Sequence, residues 1–225
     1  MATILISGGA SGLGAAIAAA VADAGDTPVV LDLSADESKP DQYRVDVSDT
    51  RATEQLVSDL CDRYEGIDGV VTAAGIDHPA PFGGIDGDRW ERIVAVNLFG
   101  TAAVVRGALP ALEKSHGRIV LIASSLALRA LPDASAYCAS KFGVLGFARS
   151  IAQELQGRVG VTTIIPAGMD TRFFDGRDAQ YRPGPDANLM DASEAANAVM
   201  FALSRPKGVE VRELVICPDD EPSWP

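Results

Sequence analysis

Near the start of the sequence lies the stretch Thr3-Ile4-Leu5-Ile6-Ser7-Gly8-Gly9-Ala10-Ser11-Gly12-Leu13-Gly14. Its first four residues form a short apolar run, which is typical of a strand buried on both faces. The glycines at 8, 12 and 14 allow a tight turn and a close approach of the backbone to a phosphate. An alanine-rich helical pattern follows, and its N-terminus offers free amides to an anion. We therefore predict that Gly8, Ser11, Gly12, Leu13 and Gly14 bind a dinucleotide.

Beyond this stretch, apolar runs that favour strands alternate with amphipathic segments that favour helices. The further strands are expected at 28–32, 43–47, 69–75 (a strand together with the turn after it), 118–123, 161–165 and 213–217. The helices are expected at 49–64, 88–112, from about Tyr137 to Gln156, and at 192–203. This order predicts an α/β fold of the Rossmann type, doubly wound, in which helices cover both faces of a seven-stranded parallel sheet to give a three-layer αβα sandwich. We expect residues 1–225 to form one domain.

Composition narrows the class of protein. Hydrophobic residues make up 47% of the 225 residues and charged residues 22%, an ordinary globular mixture. The formal net charge of -12 disfavours a nucleic-acid partner, because phosphate binding needs a basic surface. The sequence has no uninterrupted apolar run of the ~20 residues that a membrane span needs, and it starts without the pattern of a signal peptide. We expect a cytoplasmic protein with no membrane partner.

Cysteine and histidine usage gives no sign of a metal or disulfide site. The three cysteines, Cys61, Cys138 and Cys217, are widely spaced and match neither a disulfide nor a zinc pattern. The two histidines are His78 and His116, and neither has a second ligand nearby in the sequence. No catalytic metal is expected.

The candidate catalytic residues follow the fifth predicted strand. Ser124 stands where the strand ends, at the sheet edge where open α/β folds bind ligands. Tyr137 and Lys141 are four residues apart, which places them one turn apart on one face of a helix. An ammonium group so close is expected to lower the pKa of the phenol, and an acidified phenol exchanges protons with an alcohol or carbonyl oxygen near neutral pH. The Ser124 hydroxyl can hold the same oxygen.

This pattern, Ser124 followed thirteen residues later by Tyr137-Cys138-Ala139-Ser140-Lys141, resembles the catalytic motif of the classical short-chain dehydrogenase/reductase family. An ungapped comparison places Ser124 at the family's catalytic serine, with its neighbour Ser125 as the alternative. The spacing of Gly8, Gly12 and Gly14 is similar to the family's Gly-x-x-x-Gly-x-Gly. The resemblance covers essentially the whole chain. It implies that Tyr137 is the acid/base and that Lys141 lowers its pKa and holds the cofactor ribose.

The resemblance also implies where the rest of the cofactor binds. Asp32, at the end of the second strand, would accept hydrogen bonds from both adenosine ribose hydroxyls and repel a 2′-phosphate. Ser11 stands where NADP-preferring relatives often carry a base, so the expected cofactor is NAD. The remaining contacts are implied by matches to family motifs at Asp46, Val47, Ala73, Ala74, Gly75, Pro166, Gly168, Met169 and Thr171.

Three departures from the family pattern lead to further expectations. Thr72 and Ala73 replace two asparagines, which removes a side-chain hydrogen bond that stabilises the sheet in relatives. Ala167 stands where the family has glycine, and a positive φ there would cost on the order of 1 kcal/mol. The tail after Pro218 lacks the family's usual Asp-Gly-Gly ending, in a region that relatives use for subunit contacts. A homodimer or homotetramer is nevertheless expected.

Two further features are predicted by the same comparison. Asn97 matches a mid-helix asparagine whose local distortion frees a carbonyl to bind a relay water that connects Lys141 to solvent. The long polar connection 172–191, with its own aromatic residues, is expected to be a substrate lid. Together with residues 76–87, this connection would determine substrate specificity. Its arginines, Arg172, Arg177 and Arg182, are compatible with a charged substrate.

The predicted function is NAD(H)-dependent interconversion of a small-molecule secondary alcohol and a ketone. One alternative is a dinucleotide-binding sensor or scaffold protein that has lost turnover. The other is an epimerase or dehydratase of the extended branch, for which the chain is short and the glycine spacing a poorer match. The sequence does not identify the substrate or the direction of reaction.

Overall fold

The computed structural model describes residues 1–221, and in that part of the chain seven parallel strands form one central sheet. Its strands are β1 (Thr3–Ser7), β2 (Thr27–Asp32), β3 (Gln42–Arg44), β4 (Gly69–Thr72), β5 (Arg118–Ile122), β6 (Gly160–Pro166) and β9 (Glu213–Ile216). The spatial order is β3-β2-β1-β4-β5-β6-β9. The chain therefore winds outward in both directions from the border between β1 and β4, which is the doubly wound arrangement.

Helices cover both faces of this sheet. They are α1 (Gly12–Asp23), α2 (Thr50–Arg63), α3 (Gly87–Val94), α4 (Thr101–Ser115), α5 (Ser135–Glu154) and α6 (Ala192–Leu203). Helices α2, α4 and α5 pack on one face, and α1 and α6 on the other. The predicted Rossmann-type, three-layer αβα sandwich is confirmed.

Strand β1 shows why the apolar runs are continuous. Successive side chains of a strand point to opposite faces, so Leu5 enters the core beneath α2, α4 and α5. Its neighbours Ile4 and Ile6 enter the core beneath α1 and α6. All three are almost fully buried. A sheet covered by helices on both sides therefore needs apolar residues at every position of its central strands.

The predicted long helix at 88–112 is interrupted. Between α3 and α4, residues Ala95–Gly100 form a π-helical segment, and the whole helical run extends from Gly87 to Ser115. By length and composition alone this helical run could cross a membrane, but half of its most apolar part is buried inside the protein. Buried Ile93, Val104 and Leu112 show that it packs as a core helix.

Apart from shifts of one or two residues at the ends of other elements, two features differ from the sequence prediction. Strand β3 ends at Arg44, and residues 45–47, predicted to continue it, are irregular and lead towards the ligand-binding edge. Residues 169–170 and 190–191 form a small parallel sheet, β7 (Met169–Asp170) and β8 (Met190–Asp191), that was not predicted. Two-residue strands carry too little periodic pattern to be seen in a sequence.

Candidate active site

A cavity of about 1120 Å³ opens at the carboxyl ends of the central strands. It is lined by all but one of the residues that the sequence analysis proposed for cofactor binding and catalysis. These are Gly8, Ser11, Gly12, Leu13, Gly14, Asp32, Asp46, Val47, Ala73, Ala74, Gly75, Ser124, Tyr137, Lys141, Pro166, Gly168, Met169 and Thr171. Asn97 is not among the lining residues. The fold thus brings together positions up to 163 residues apart, from Gly8 to Thr171.

The glycine turn after β1 is held against the turn after β4. Gly8 has φ +75°, and a Cβ there would lie 2.6 Å from Cα of Ala74. A Cβ on Gly14 would lie 2.0 Å from the carbonyl oxygen of Gly8, so only glycine permits α1 to begin this close to the strand. The N-terminus of α1 consequently faces the cavity with its free amides. These donors suit the pyrophosphate of a dinucleotide.

Asp32 organises this turn as well as lining the cavity. One carboxylate oxygen accepts from the backbone N–H of Ala10 at 3.1 Å. The other accepts from the backbone N–H and the hydroxyl of Ser34, both at 2.8 Å. Three of the roughly four acceptor positions of the carboxylate are therefore occupied by the protein. The sequence predicts only a ribose-binding role for Asp32, and its hydrogen bonds to the turn are revealed by the structure.

Asp46 is held by an arginine that the sequence analysis did not identify. Nη2 of Arg92, on α3, donates to both carboxylate oxygens of Asp46 at 3.0 and 2.8 Å. The Ser48 hydroxyl donates to Asp46 at 2.7 Å and accepts from Arg92. Burial alone would raise the pKa of Asp46, but the hydrogen bonds from Arg92 and Ser48 hold it below its ordinary value. Arg92 also lines the cavity.

Tyr137 and Lys141 lie on one face of α5, as their spacing predicted. Nζ of Lys141 lies 5.6 Å from the centre of the Tyr137 ring and donates to the carbonyl oxygen of Ile122 at 2.9 Å. Both side chains are buried. Burial raises the pKa of Tyr137, and the hydrogen bond with the Ser124 hydroxyl acts in the opposite direction. Ser125 also lines the cavity, but this effect on the phenol belongs to Ser124.

The structure does not show the expected acidification of the phenol by Lys141. Burial raises the pKa of Tyr137 well above its ordinary value, and the hydrogen bond from Ser124 offsets only part of that rise. Burial also lowers the pKa of Lys141 from 10.5 to about 8. A helical spacing of four residues shows that two groups are neighbours, but it does not reveal how completely both are removed from water.

Asn97 occupies the π-helical segment, so the predicted local distortion is present. The freed carbonyl, however, is not without a protein partner, because the Thr101 hydroxyl donates to it at 2.8 Å. The amide side chain is fully buried and holds the loop after β4. It accepts from the backbone N–H of Ile76 at 2.8 Å and donates to Ile76 O at 2.9 Å and to the Ser140 hydroxyl at 3.0 Å. Asn97 therefore supports the cavity wall from behind.

The segment after β6 adopts an unstrained path. Ala167 is not among the positive-φ residues of the described chain, and its N–H extends the sheet by donating to Ile216 O at 3.0 Å. The strain considered for this position is therefore absent. Thr171 lies across from the glycine turn, since a Cβ on Gly12 would be 3.6 Å from Cβ of Thr171. The two sides of the predicted cofactor cleft thus meet at this point.

Residues 172–191 cover the cavity near Tyr137. The Phe173 ring centre lies 5.7 Å from that of Tyr137. The Tyr181 hydroxyl donates to Asp133 at 3.0 Å, and Arg177 forms an ion pair with Asp77 at 2.9 Å. His78, by contrast, contacts Arg89 and is not among the lining residues.

Within residues 1–221, no group of three or more His, Cys, Asp or Glu side chains is placed to hold a metal ion. The residues proposed for catalysis, Tyr137, Ser124 and Lys141, supply a buried phenol, a hydroxyl beside it and an amino group one helical turn away.

Comparisons with known proteins agree with this geometry. The family model described as short chain dehydrogenase matches residues 2–182. The chain is 33% identical to D-threitol dehydrogenase from Mycolicibacterium smegmatis over 89% of this chain and 85% of that protein. It is 30% identical to glycine betaine reductase ATRR from Emericella nidulans, over 97% of this chain but only 19% of that much longer protein.

Among solved structures, the chain resembles an alcohol dehydrogenase from Thermococcus sibiricus in complex with 5-hydroxy-NADP. The TM-score is 0.84 at 25% sequence identity, and the match covers 96% of each chain. The family match spans most of this chain, and the structural match covers 96% of it. The protein is therefore an oxidoreductase of the short-chain dehydrogenase family.

Proposed function

We propose that this oxidoreductase interconverts a secondary alcohol and a ketone with NAD(H), and that Tyr137 is its acid/base. The observation that carries the proposal is the Tyr137 phenol, buried next to the Ser124 hydroxyl in the cavity that begins at the glycine turn. An alcohol loses a hydride from its carbinol carbon and a proton from its hydroxyl. Bound NAD would accept the hydride, so that alcohol and NAD⁺ give ketone, NADH and one proton.

The side chains would divide the proton chemistry between them. Tyr137 takes the hydroxyl proton during oxidation and returns it to the carbonyl oxygen during reduction. Ser124 holds that oxygen through its hydroxyl, which both donates and accepts. Lys141 supplies a positive charge behind the phenol and would hold the cofactor ribose. Asn97 keeps the loop after β4 in place through Ile76, and so supports the floor of the site.

NAD rather than NADP is the proposed cofactor. A carboxylate at Asp32 repels a 2′-phosphate, and the protein already fills most of its acceptor positions. Ser11, in the glycine turn, lines the cavity and carries no positive charge that could bind a 2′-phosphate. The solved relative with bound 5-hydroxy-NADP has the same fold, so the choice depends on local charge rather than on architecture.

The exposed aromatic residues of the protein bear on its oligomeric state. We infer a homodimer or homotetramer, since Phe99 of the π-helical segment and Phe142 of α5 are both about half exposed on neighbouring elements. Light scattering with size-exclusion chromatography tests this. We also propose a cytoplasmic location, which fits the ordinary globular composition of the chain.

The test of function is the variant Tyr137→Phe, assayed with a panel of alcohols and ketones at the absorbance of reduced nicotinamide. We expect turnover to fall by at least about a thousandfold while NAD binding persists. Tyr43→Phe is the matched control, because its hydroxyl bonds Tyr64 away from the cavity. Unchanged turnover in Tyr137→Phe would overturn the proposal, and a wild-type protein that binds NAD but turns over nothing would favour a sensor or scaffold.

A further inference from the structure

A buried ion pair lies in the cavity beside the proposed acid/base. Nη2 of Arg177 lies 2.9 Å from Oδ2 of Asp77, and only 12% and 6% of the two side chains are exposed. Arg177 belongs to the segment that covers the cavity, and Asp77 belongs to the loop after β4. Both line the cavity. The pair is therefore part of the wall that a substrate meets.

The pair is held in a fixed position next to Tyr137. The guanidinium of Arg177 lies over the rings of Phe173 and Phe174, 4.9 and 4.7 Å from their centres. Phe173 in turn contacts the Tyr137 ring at 5.7 Å. The charges act on the phenol, since Asp77 raises the pKa of Tyr137 and Arg177 lowers it. A substrate oxygen at Tyr137 is thus within reach of the field of both side chains.

Both members of the pair keep unused hydrogen-bonding positions. Oδ1 of Asp77 accepts from the His78 N–H at 2.8 Å, and Oδ2 accepts from Arg177. Each carboxylate oxygen can accept a second hydrogen bond. Nε of Arg177 is buried and has no hydrogen-bond partner within the described chain. A buried donor without a partner is costly, so a ligand that supplies an oxygen there gains affinity.

Within the described residues, three of the five positive charges around the cavity are paired with carboxylates, and the other two bond backbone carbonyl oxygens. In residues 1–221, five cationic side chains line it, and each has a protein partner. Arg92 bonds Asp46, Lys141 bonds Ile122 O, Arg172 bonds Asp175, Arg177 bonds Asp77 and Arg182 bonds Arg177 O. A substrate carboxylate that binds Arg177, the guanidinium packed near Tyr137, would have to displace Asp77 from it. That would leave the Asp77 carboxylate buried without its counter-charge, which is strongly unfavourable.

We propose that Asp77 and Arg177 select a neutral substrate that carries a second hydroxyl next to the reacting carbon, and that they reject carboxylates. The second hydroxyl donates to Asp77 and accepts from Arg177, so it fills the open positions without breaking the pair. A vicinal diol or the matching hydroxyketone is the substrate class. The inference rests on the proposed alcohol/ketone chemistry.

The test uses three four-carbon probes that share a CH₃–CH(OH) group. Butane-2,3-diol adds a neighbouring hydroxyl, butan-2-ol adds none, and 3-hydroxybutyrate adds a carboxylate. For the wild type we expect kcat/KM for the diol to exceed that for butan-2-ol at least about tenfold, because the diol fills the open hydrogen-bonding positions. The value for 3-hydroxybutyrate should be the lowest of the three.

Two variants separate the contributions of the pair. Asp77→Asn frees the guanidinium, so the ratio of kcat/KM for 3-hydroxybutyrate to that for the diol should rise at least about tenfold. Arg177→Met keeps a long apolar side chain over the phenylalanines. In this variant the ratio of kcat/KM for 3-hydroxybutyrate to that for the diol should stay low, and the preference for the diol over butan-2-ol should disappear. Arg106→Met is the control, since it breaks an exposed ion pair with Glu54 outside the cavity.

The outcomes distinguish this inference from the proposed function. An unchanged ratio in a folded Asp77→Asn variant, or a wild type that prefers 3-hydroxybutyrate, overturns the selection. Thermal melting establishes folding, and if Asp77→Asn does not fold, the wild-type ranking decides. If the wild type oxidises none of the three, the proposed function fails on these probes. Calorimetric binding of the diol and 3-hydroxybutyrate then decides the selection, and tighter binding of the carboxylate overturns it.

Discussion

The ammonium nitrogen of Lys141 lies 5.6 Å from the centre of the Tyr137 ring and bonds the Ile122 carbonyl oxygen at 2.9 Å. The two residues are therefore neighbours, but burial dominates the ionisation of each. The pKa of the phenol lies above its ordinary value, and that of the ammonium is lowered to about 8. The proton exchange that we propose for Tyr137 would consequently depend on hydrogen bonds inside the cavity, such as the one with Ser124.

Replacing Ser124 tests this dependence. Burial raises the pKa of the Tyr137 phenol, and Ser124→Ala removes the hydrogen bond that offsets part of this rise. For alcohol oxidation, kcat/KM should increase with pH, and in the variant this increase should occur at higher pH than in the wild type. We expect a loss of about tenfold to a hundredfold at pH 7. Ser125→Ala is the matched comparison, and a larger loss in that variant would assign the substrate oxygen to Ser125.

Removing the buried ammonium should stabilise the protein near neutral pH. Burial lowers the pKa of Lys141 from 10.5 to about 8. Charging Lys141 is therefore harder in the folded than in the unfolded chain, by about 3 kcal/mol. This unfavourable contribution is present in full below pH 8 and fades as the pH rises towards 10.5. Loss of the hydrogen bond to Ile122 O offsets about 1 kcal/mol of the gain.

Lys141→Met should accordingly exceed the wild type in free energy of unfolding by about 2 kcal/mol at pH 7, and this advantage should vanish near pH 10. Denaturant unfolding without cofactor at the two pH values measures the difference. The control is Lys114→Met, at an exposed position on α4. A difference for Lys141→Met that does not change with pH would contradict the burial argument.

The charge of Asp32 should determine the choice of cofactor. Asp32→Asn keeps the shape and an acceptor oxygen but removes the repulsion of a 2′-phosphate. We expect the ratio of kcat/KM for NADP to that for NAD to rise by about tenfold or more. Asp36→Asn, which neutralises an exposed carboxylate paired with Lys39, should leave the ratio unchanged. A wild type that already prefers NADP would refute the assignment.

Asn97 should matter for stability as well as for turnover. Asn97→Ala leaves the N–H and C=O of Ile76 without their buried partner. We expect a loss of about 2–5 kcal/mol in the free energy of unfolding, from the unpaired polar groups together. Asn197→Ala, at an exposed position on α6, is the control. If Asn97→Ala loses turnover but melts at the wild-type temperature, its role lies in proton relay instead.

Two buried threonines offer a direct comparison of paired and unpaired hydroxyls. Among residues 1–221, Thr72 Oγ1 is buried without a hydrogen-bond partner, whereas Thr101 Oγ1 donates to Asn97 O at 2.8 Å. Thr72→Val should be neutral or stabilising, because it removes an unsatisfied polar atom. Thr101→Val should destabilise by about 1 kcal/mol. Thermal melts of both variants provide the measurement, and equal losses would show that Thr72 has a partner in solution.

The features that the sequence predicted well are those set by neighbouring residues. A continuous apolar run such as Thr3–Ser7 identifies a strand buried on both faces, and the spacing of Gly8, Gly12 and Gly14 identifies the turn after it. The four-residue spacing of Tyr137 and Lys141 places them on one helical face. These patterns depend on backbone geometry that repeats over a few residues.

The features that the sequence did not reveal depend on contacts between distant segments. Asp77 and Arg177 are 100 residues apart, and Asp46 and Arg92 are 46 apart. No local pattern in the sequence links the members of either pair. If the loop arginines were unpaired, they could bind a charged substrate, and the sequence does not distinguish that case from the paired one. The degree of burial at Lys141 is likewise a property of everything packed around it. Local sequence patterns thus determined the sheet, the glycine turn and the helix that carries Tyr137 and Lys141. Only the tertiary structure decided which charges are paired and how far each pKa is shifted, because desolvation and ion pairing depend on all nearby atoms.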